Sequence, residues 1–168
     1  MSRKYYLRPI RQASRTLCFP TALLMIDLYA RSLNGTPGTS SLQTKVISLA
    51  YIENAGMFTE AYANQFAQTY GFSSKSIDIT PERFDSVLNS LGPFAYIGDL
   101  PADRPYKHTL VVTGITKQKD LWSLDFINPW TGKNETEEFY GVLTKFVPYD
   151  STSSNKVKVY YIPDIHQC

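Results

Sequence analysis

The order of apolar and polar positions divides the chain into a helical first half, about residues 1–92, and a strand-rich second half, about residues 93–168. Residues 18–31 are almost wholly apolar, which predicts a buried helix. Because proline fits only the first turn of a helix, Pro20 places the start of this helix near Cys18. Capping residues and apolar spacing predict further helices at residues 59–70 and 80–91, and a helix is also predicted at residues 42–52.

After Pro93 the apolar residues are mostly β-branched or aromatic, which is typical of strands. Strands are predicted at residues 94–97, 108–116, 121–127, 139–147 and 156–162. A polar turn at residues 117–120 joins the second and third of these strands into a hairpin. We therefore expect one α+β domain over residues 1–168, with the buried helix packed on an antiparallel sheet.

The composition excludes several classes of protein. The chain has 168 residues, of which 43% are hydrophobic and 19% are charged. This composition excludes a disordered or a collagen-like protein. A net charge of +2 is too balanced to indicate nucleic-acid binding. There is no apolar run long enough to cross a membrane, and the basic N-terminus lacks the apolar stretch of a signal peptide. Two cysteines and two histidines make a disulfide framework or a metal site improbable.

Cys18 and His108 are the residues from which chemistry is expected. Unpaired N–H groups at the start of a helix favour a thiolate, so Cys18 is a candidate nucleophile, and its alternative role is that of a small core residue. His108 opens a predicted strand directly after a polar loop, where it can act as a general base. Its alternative role is that of a surface or capping histidine.

Two side-chain amides complete the candidate site. If the hairpin turn is symmetric about Gln118, Asn128 lies opposite His108 and its oxygen can orient the imidazole, although Asn128 also begins an ordinary turn sequence. Asp125 is an odd number of residues from Asn128 and is expected on the other face of the sheet. Gln12 could stabilise an oxyanion together with the Cys18 N–H, or it could simply be solvated.

The ordered set of these motifs resembles the papain-like cysteine peptidases. The segments that carry the resemblance are Gln12 to Met25, Leu91 to Tyr96, His108 to Ile115 and Asp125 to Gly132. They are most similar to the double-glycine leader peptidases and to the papain-like effector proteases that bacteria deliver into other cells. Two departures are Asn128, where these branches commonly have aspartate, and Phe19-Pro20, where tryptophan or glycine commonly follows the cysteine.

The resemblance implies a papain-like fold and a thiol endopeptidase without a metal or organic cofactor. It implies that Cys18 is the nucleophile, His108 the base and later the acid, Asn128 the residue that orients the imidazole, and Gln12 an oxyanion donor. It further implies a protein substrate, export by a specialised secretion system, action in the cytoplasm of a target bacterium, and a cognate immunity or inhibitor protein that covers the cleft. No nucleic-acid or membrane partner is expected.

Three aromatic residues, Phe19, Tyr106 and Trp130, are expected to form the walls of the substrate cleft. Such walls leave room for glycine, as in the double-glycine leader peptidases, so cleavage after Gly-Gly is expected. Two alternatives stay open: a deamidase or transglutaminase with the same residues, and a binding module without activity. His166 and Cys168 are interpreted as tail residues, and a disulfide between Cys168 and Cys18 would block the chemistry.

Overall fold

In the computed structural model, described for residues 2–14, 16–36, 38–52, 59–99, 107–148 and 155–165, an antiparallel sheet lies between two groups of helices. The helices are α1 Cys18–Asn34, α2 Ser41–Leu49, α3 Glu60–Thr69, α4 Pro81–Leu91 and α5 Phe139–Lys145. The strands are β1 Ser2–Lys4, β2 Ser73–Asp78, β3 Phe94–Asp99, β4 Lys107–Gln118, β5 Leu121–Asn128, β6 Lys133–Glu138, β7 Val147–Pro148 and β8 Lys156–Tyr161.

The strands follow the order β2-β8-β3-β4-β5-β6, with β1 paired to β4 and β7 paired to β3. Each of these pairings is antiparallel. Strands β3 and β4 therefore lie at the centre of the sheet. Strand β3 is buried except at its last residue, and β4 is buried over residues 108–115. An α+β fold with a buried N-terminal helix on an antiparallel sheet was predicted and is confirmed.

Alternation along the central strands separates two apolar clusters. On one face of the sheet, Ala95, Val111 and Tyr160 pack with α1, α2 and α3. On the other face, Tyr96 and Leu110 pack with α4 and α5. Because neighbouring side chains of a strand point to opposite faces, His108 lies on the same face as Leu110, and Thr109 lies on the face of α1.

The predicted helices agree with α1 to α4 to within three residues at each end. Helix α1 ends at Gly35, whose φ of 62° is the left-handed conformation that glycine adopts readily, and whose N–H donates to the Arg31 and Ser32 carbonyls. No helix in the described part of the chain is both long and apolar enough to cross a membrane.

The strand predicted at residues 139–147 is wrong in its larger part. Residues 139–145 form helix α5, because the Glu138 side chain accepts a hydrogen bond from the Gly141 N–H and caps the first turn. Phe139 and Val142 are three residues apart and both are buried, which is helical spacing. The β-forming composition of the segment does not determine its structure.

Strands β2 and β6 were not predicted, because apolar alternation is nearly absent from both. In β2 the residue that is buried is Ile77, and β6 has the sequence Lys-Asn-Glu-Thr-Glu-Glu. Both are edge strands, held by their backbone pairing with β8 and β5 respectively. Polar edge strands are common because they discourage pairing with other chains.

The predicted register of the β4–β5 hairpin is also wrong. Gln118 pairs with Leu121, so the turn is formed by Lys119 and Asp120 and is not symmetric about Gln118. The pairing shifts by one residue between Val112 and Gly114, where β4 contains a bulge. Without this bulge the side chain of Asn128 would lie on the α1 face, since a one-residue slip reverses every side chain. The bulge therefore places Asn128 on the same face as His108.

Candidate active site

The nucleophile candidate lies where α1 begins. Cys18 is the first residue of the helix, and Pro20 lies in the first turn, where its missing N–H is tolerated. The Cys18 Sγ is 4.0 Å from the Lys107 carbonyl oxygen, and the thiol also interacts with Thr109. The thiol therefore lies against the two residues that flank His108. Within the described residues, it hydrogen-bonds to this strand rather than to the His108 ring.

Burial raises the pKa of the Cys18 thiol, while polar groups of Thr109, Phe19 and Cys18 itself act in the opposite direction. The sequence predicts a thiolate here because of the helix N-terminus. The direction of that prediction is wrong, because the loss of hydration disfavours the charged form more than the local N–H groups favour it.

His108 is fixed by Asn128. The His108 Nε2 is 2.7 Å from the Asn128 Oδ1, and the Trp130 backbone N–H donates to the same oxygen at 3.0 Å. An amide oxygen only accepts hydrogen bonds, so the Nε2 of the imidazole carries the proton and donates it. The neutral ring is thereby held in the tautomer in which Nδ1 has a free lone pair, as a general base requires.

Burial lowers the pKa of His108 to about 4, and the hydrogen bond to Asn128 acts in the opposite direction. Two aromatic rings contribute to this burial. The Trp130 ring lies 4.5 Å from the imidazole, centroid to centroid, and the Phe146 ring lies 5.4 Å from it. At neutral pH the imidazole is therefore uncharged.

Phe146 was missed in the sequence, because nothing in its neighbourhood marks it as a partner of a histidine 38 positions away. Two features of β3 hold it in place. Gly98 pairs directly with His108, and a Cβ at Gly98 would be 3.0 Å from the Phe146 carbonyl carbon, so the glycine permits this close approach. The buried Tyr96 hydroxyl donates to the Phe146 carbonyl oxygen at 3.1 Å.

Gln12 is anchored to the turn that follows β5. Its backbone N–H donates to the Pro129 carbonyl at 2.8 Å, and its Nε2 donates to the Ser14 carbonyl at 2.7 Å. Gly132 has a φ of 63°, and a Cβ there would be 2.8 Å from the Arg11 backbone nitrogen, so glycine lets the two segments pack closely. The amide of Gln12 retains a second Nε2 hydrogen for another acceptor.

Other predicted residues lie elsewhere. Phe19 is fully buried, with its ring 5.0 Å from Tyr160 and 6.2 Å from Phe66, so its assignment to a substrate wall is wrong. Its position follows from α1, where residue 19 faces the core. Trp130 is 39% exposed and remains available to a substrate. Tyr106, His166 and Cys168 lie outside the described residues.

Asp125 does not contact the imidazole. Its Oδ1 accepts a hydrogen bond from the Thr136 hydroxyl at 2.5 Å and lies 3.6 Å from the Lys4 Nζ. Thr136 lies in the neighbouring strand β6, and Lys4 lies in β1, which pairs with β4. Within the described residues, no group of three histidine, cysteine or acidic side chains could hold a metal ion.

Comparison with known proteins identifies the fold and the family. One solved structure, from work on antibody cross-reactivity between the mite allergens Blo t 1 and Der p 1, has a TM-score of 0.55 and 13% sequence identity to the chain. The alignment covers 94% of this chain and 67% of that chain, and the likeness shows the papain-like fold. No curated protein sequence matches the chain. The sequence model of the family described as papain-like cysteine protease AvrRpt2 matches residues 4–149, so the chain belongs to this family and is a cysteine peptidase.

Proposed function

We propose that the protein is a thiol endopeptidase in which Cys18, His108, Asn128 and Gln12 carry out the reaction. The observation that carries the proposal is the state of the imidazole. Asn128 holds the His108 Nε2 as a donor at 2.7 Å, which leaves Nδ1 as the base, and the Cys18 thiol lies against the backbone on either side of His108. The family match supports the same chemistry.

The reaction begins with a neutral pair. The Cys18 Sγ attacks the carbonyl carbon of the scissile bond while its proton moves to the His108 Nδ1. Catalytic hydrogen bonds tighten in the complex with substrate, so we expect Sγ to turn from the Lys107 carbonyl toward Nδ1 at this step. The oxyanion accepts hydrogen bonds from the Cys18 N–H and from the second Nε2 hydrogen of Gln12.

The tetrahedral intermediate then collapses. The C–N bond breaks, and the proton on Nδ1 passes to the leaving amine, which leaves an acyl group on the Cys18 Sγ. Water next gives a proton to Nδ1 and attacks the thioester carbonyl. The S–C bond breaks, Sγ recovers the proton from Nδ1, and a carboxylic acid is released. Throughout, Asn128 accepts from the Nε2–H and stabilises the imidazolium.

Profiling of new protein N-termini tests the proposal. Cells that express the wild-type chain are compared with cells that express Cys18→Ala, which replaces one small side chain by another and should leave the fold intact. We expect new N-termini with the wild type alone. Mass shifts of about +1 Da at glutamine, without new N-termini, would instead identify a deamidase. The absence of both, together with slow alkylation of Cys18 by iodoacetamide, would identify a binding module.

We further propose that the enzyme cleaves after glycine, most readily after Gly-Gly. With Phe19 excluded, this proposal rests on Trp130, a bulky and partly exposed ring that lies directly over the His108 imidazole. A large ring beside the scissile bond favours residues without a Cβ. A peptide series X-Gly-Gly-Y, with each glycine changed to alanine in turn, tests it. Equal cleavage of all peptides would contradict the narrow cleft while leaving the assignment of Cys18 and His108 intact.

The biological setting that we propose is that of an effector which a specialised secretion system delivers into the cytoplasm of a target bacterium. A cognate immunity protein would cover the cleft in the producing cell. The family match supports an effector-type protease. Expression in a bacterial cytoplasm tests the setting: the wild type should arrest growth and Cys18→Ala should not. Normal growth with active wild-type enzyme would exclude a bacterial target.

A further inference from the structure

A concave surface includes Arg11 and Ala13, the two sequence neighbours of Gln12. It is a groove of about 550 Å³ between the segment of residues 8–13 and the helices α1 and α2. The residues that line it include Arg8, Arg11, Thr21, Ile47 and Tyr51, which set its charge and its apolar surface. Neither His108, Asn128 nor Trp130 is among the described residues that line it, so it is a separate feature.

The groove is positively charged. Arg8 and Arg11 are exposed and line it, and its lining contains no acidic residue among the described ones. Within the described part of the chain, neither guanidinium forms an ion pair. Guanidinium groups bind carboxylates through two parallel hydrogen bonds, so the chemistry of this wall fits an acidic ligand.

The opposite wall of the groove is apolar. Helix α2 buries Leu42, Val46 and Leu49, while Ile47 is 55% exposed and Tyr51, just beyond the helix, is 87% exposed. Large apolar side chains that are exposed together mark surfaces that bind a partner. The groove therefore presents an apolar wall and a basic wall to the same ligand.

Thr21 forms part of the floor of the groove. The residue lines the groove and is 1% exposed, and its Oγ1 is enclosed and has no hydrogen-bond partner among the described residues. An enclosed oxygen is not accessible to a ligand in the groove, so the exposed Arg8, Arg11, Ile47 and Tyr51 side chains are the ones that a ligand would contact.

We propose that this groove binds a segment of the protein substrate that carries a carboxylate next to a large apolar side chain, close to the scissile bond. The inference rests on the proposed peptidase function and names its substrate class. Arg11 directly precedes Gln12, and Thr21 is three residues after Cys18, about 4.5 Å along the helix axis. An extended chain advances about 3.3 Å per residue, so a substrate residue two to four positions from the cut reaches the groove.

Cleavage of a proteome-derived peptide library tests this inference. The wild type is compared with Arg8→Glu/Arg11→Glu and with Lys75→Glu/Lys117→Glu, a control that changes the net charge equally at exposed positions outside the groove. We expect Asp or Glu beside a large apolar residue to be enriched within about four residues of the cut for the wild type and the control. The groove variant should lose this enrichment.

A defined peptide from the enriched set sharpens the test. Replacement of its acidic residue by the matching amide should lower kcat/KM of the wild type about fivefold, mainly through KM, and should leave the groove variant unaffected. Equal rates of Cys18 alkylation by iodoacetamide and equal melting temperatures show that the variants are intact. An Arg8→Gln/Arg11→Gln variant provides a second, milder test.

The outcomes are distinguishable from a failure of the proposed function. If the wild type cleaves no more peptides than Cys18→Ala, the peptidase proposal fails. If the wild type cleaves peptides without acidic enrichment, or if the enrichment survives in the groove variant, the groove inference is wrong. If the groove variant loses its effect on cells but keeps the peptide preference, the occupant is a separate protein and the substrate assignment is overturned.

Discussion

The two groups that we propose to react, the Cys18 thiol and the His108 imidazole, are both buried, but by different kinds of neighbours. The Cys18 thiol lies at the first turn of α1 against the backbone of β4. The His108 imidazole is held by three side chains, those of Asn128, Trp130 and Phe146. The position of the proposed nucleophile therefore depends mainly on the backbone of the fold, whereas the position and charge of the proposed base depend on a few side chains.

This difference has an electrostatic consequence. Burial raises the pKa of Cys18 and lowers the pKa of His108 to about 4, so burial disfavours the charged form of both groups. The thiol is surrounded mainly by the backbone of α1 and β4, and Thr109 adds a side-chain hydrogen bond to it. The surroundings of the imidazole can be altered one side chain at a time, which makes the base the more informative side of the site.

The largest effect is expected from His108→Ala. Loss of the general base should lower kcat by about 10²- to 10⁴-fold, because proton transfer at both the acylation and the deacylation step would then depend on water. Turnover of a Gly-Gly peptide, normalised to the content of folded protein, measures the loss. A loss smaller than that of Asn128→Ala would show that His108 is not the base.

The stability of the protein should depend on His108 as the pH falls. Its pKa is about 4 in the folded protein and about 6.5 in an unfolded chain, so below pH 6.5 the unfolded state takes up the proton first. Stability is then lost progressively from about pH 6.5 down to about pH 4, by at most about 3 kcal/mol. Urea unfolding of the wild type and of His108→Gln, which cannot become charged, measures this contribution. Equal pH dependence of the two proteins would contradict a neutral, buried imidazole.

Asn128→Ala should reduce kcat/KM less than His108→Ala does, by about 10- to 100-fold, because it leaves the buried Nε2–H without a partner but keeps the base. Asp125→Ala is the matched control in the same strand. It removes the contacts with Thr136 and Lys4, so it should lower the melting temperature and leave kcat nearly unchanged. A larger rate loss at Asp125 than at Asn128 would reverse the assignment of the residue that orients the imidazole.

The sequence was informative where one local rule decides the structure. Helix α1 follows from an apolar run, Pro20 and Gly35, and these features place Cys18 at its first turn. The contact between His108 and Asn128 was predicted from a hairpin register that is wrong. The contact is nevertheless present, because the bulge in β4 returns Asn128 to the face of His108. A sequence pattern does not locate a bulge, since bulges depend on pairing with neighbouring strands.

Long-range packing explains what could not be predicted. The raised pKa of Cys18 depends on how deeply α1 packs against β4, which outweighs the local effect of the helix N-terminus. Phe146 reaches His108 because two residues about fifty positions earlier position its backbone. Gly98 lacks the Cβ that would prevent close approach, and the Tyr96 hydroxyl donates a hydrogen bond to the Phe146 carbonyl. Phe19 is aromatic and adjacent to Cys18, but its direction from the helix places it in the core. Contacts of this kind exist only in the folded chain.

The smallest effect is expected from Phe146→Ala. This variant tests most directly whether neighbouring side chains keep the His108 imidazole uncharged. Removal of the ring 5.4 Å from the imidazole admits water, and hydration raises the His108 pKa from about 4 toward its ordinary value. An aromatic contact contributes about 1 kcal/mol, so the acidic limb of the kcat/KM profile should move to higher pH by about one unit. Activity at the pH optimum should fall only a few-fold.

Two further variants separate this effect from a general loss of packing. Tyr140→Ala removes a largely exposed ring from helix α5, which directly precedes Phe146, and should leave the pH profile unchanged. Gly98→Ala places a methyl group 3.0 Å from the Phe146 backbone and should displace the ring without removing it, so its acidic limb should move in the same direction as in Phe146→Ala. A lower melting temperature with an unmoved acidic limb in both Phe146→Ala and Gly98→Ala would mean that Phe146 serves the core alone. In that case Asn128 and Trp130 would be sufficient to hold the imidazole neutral.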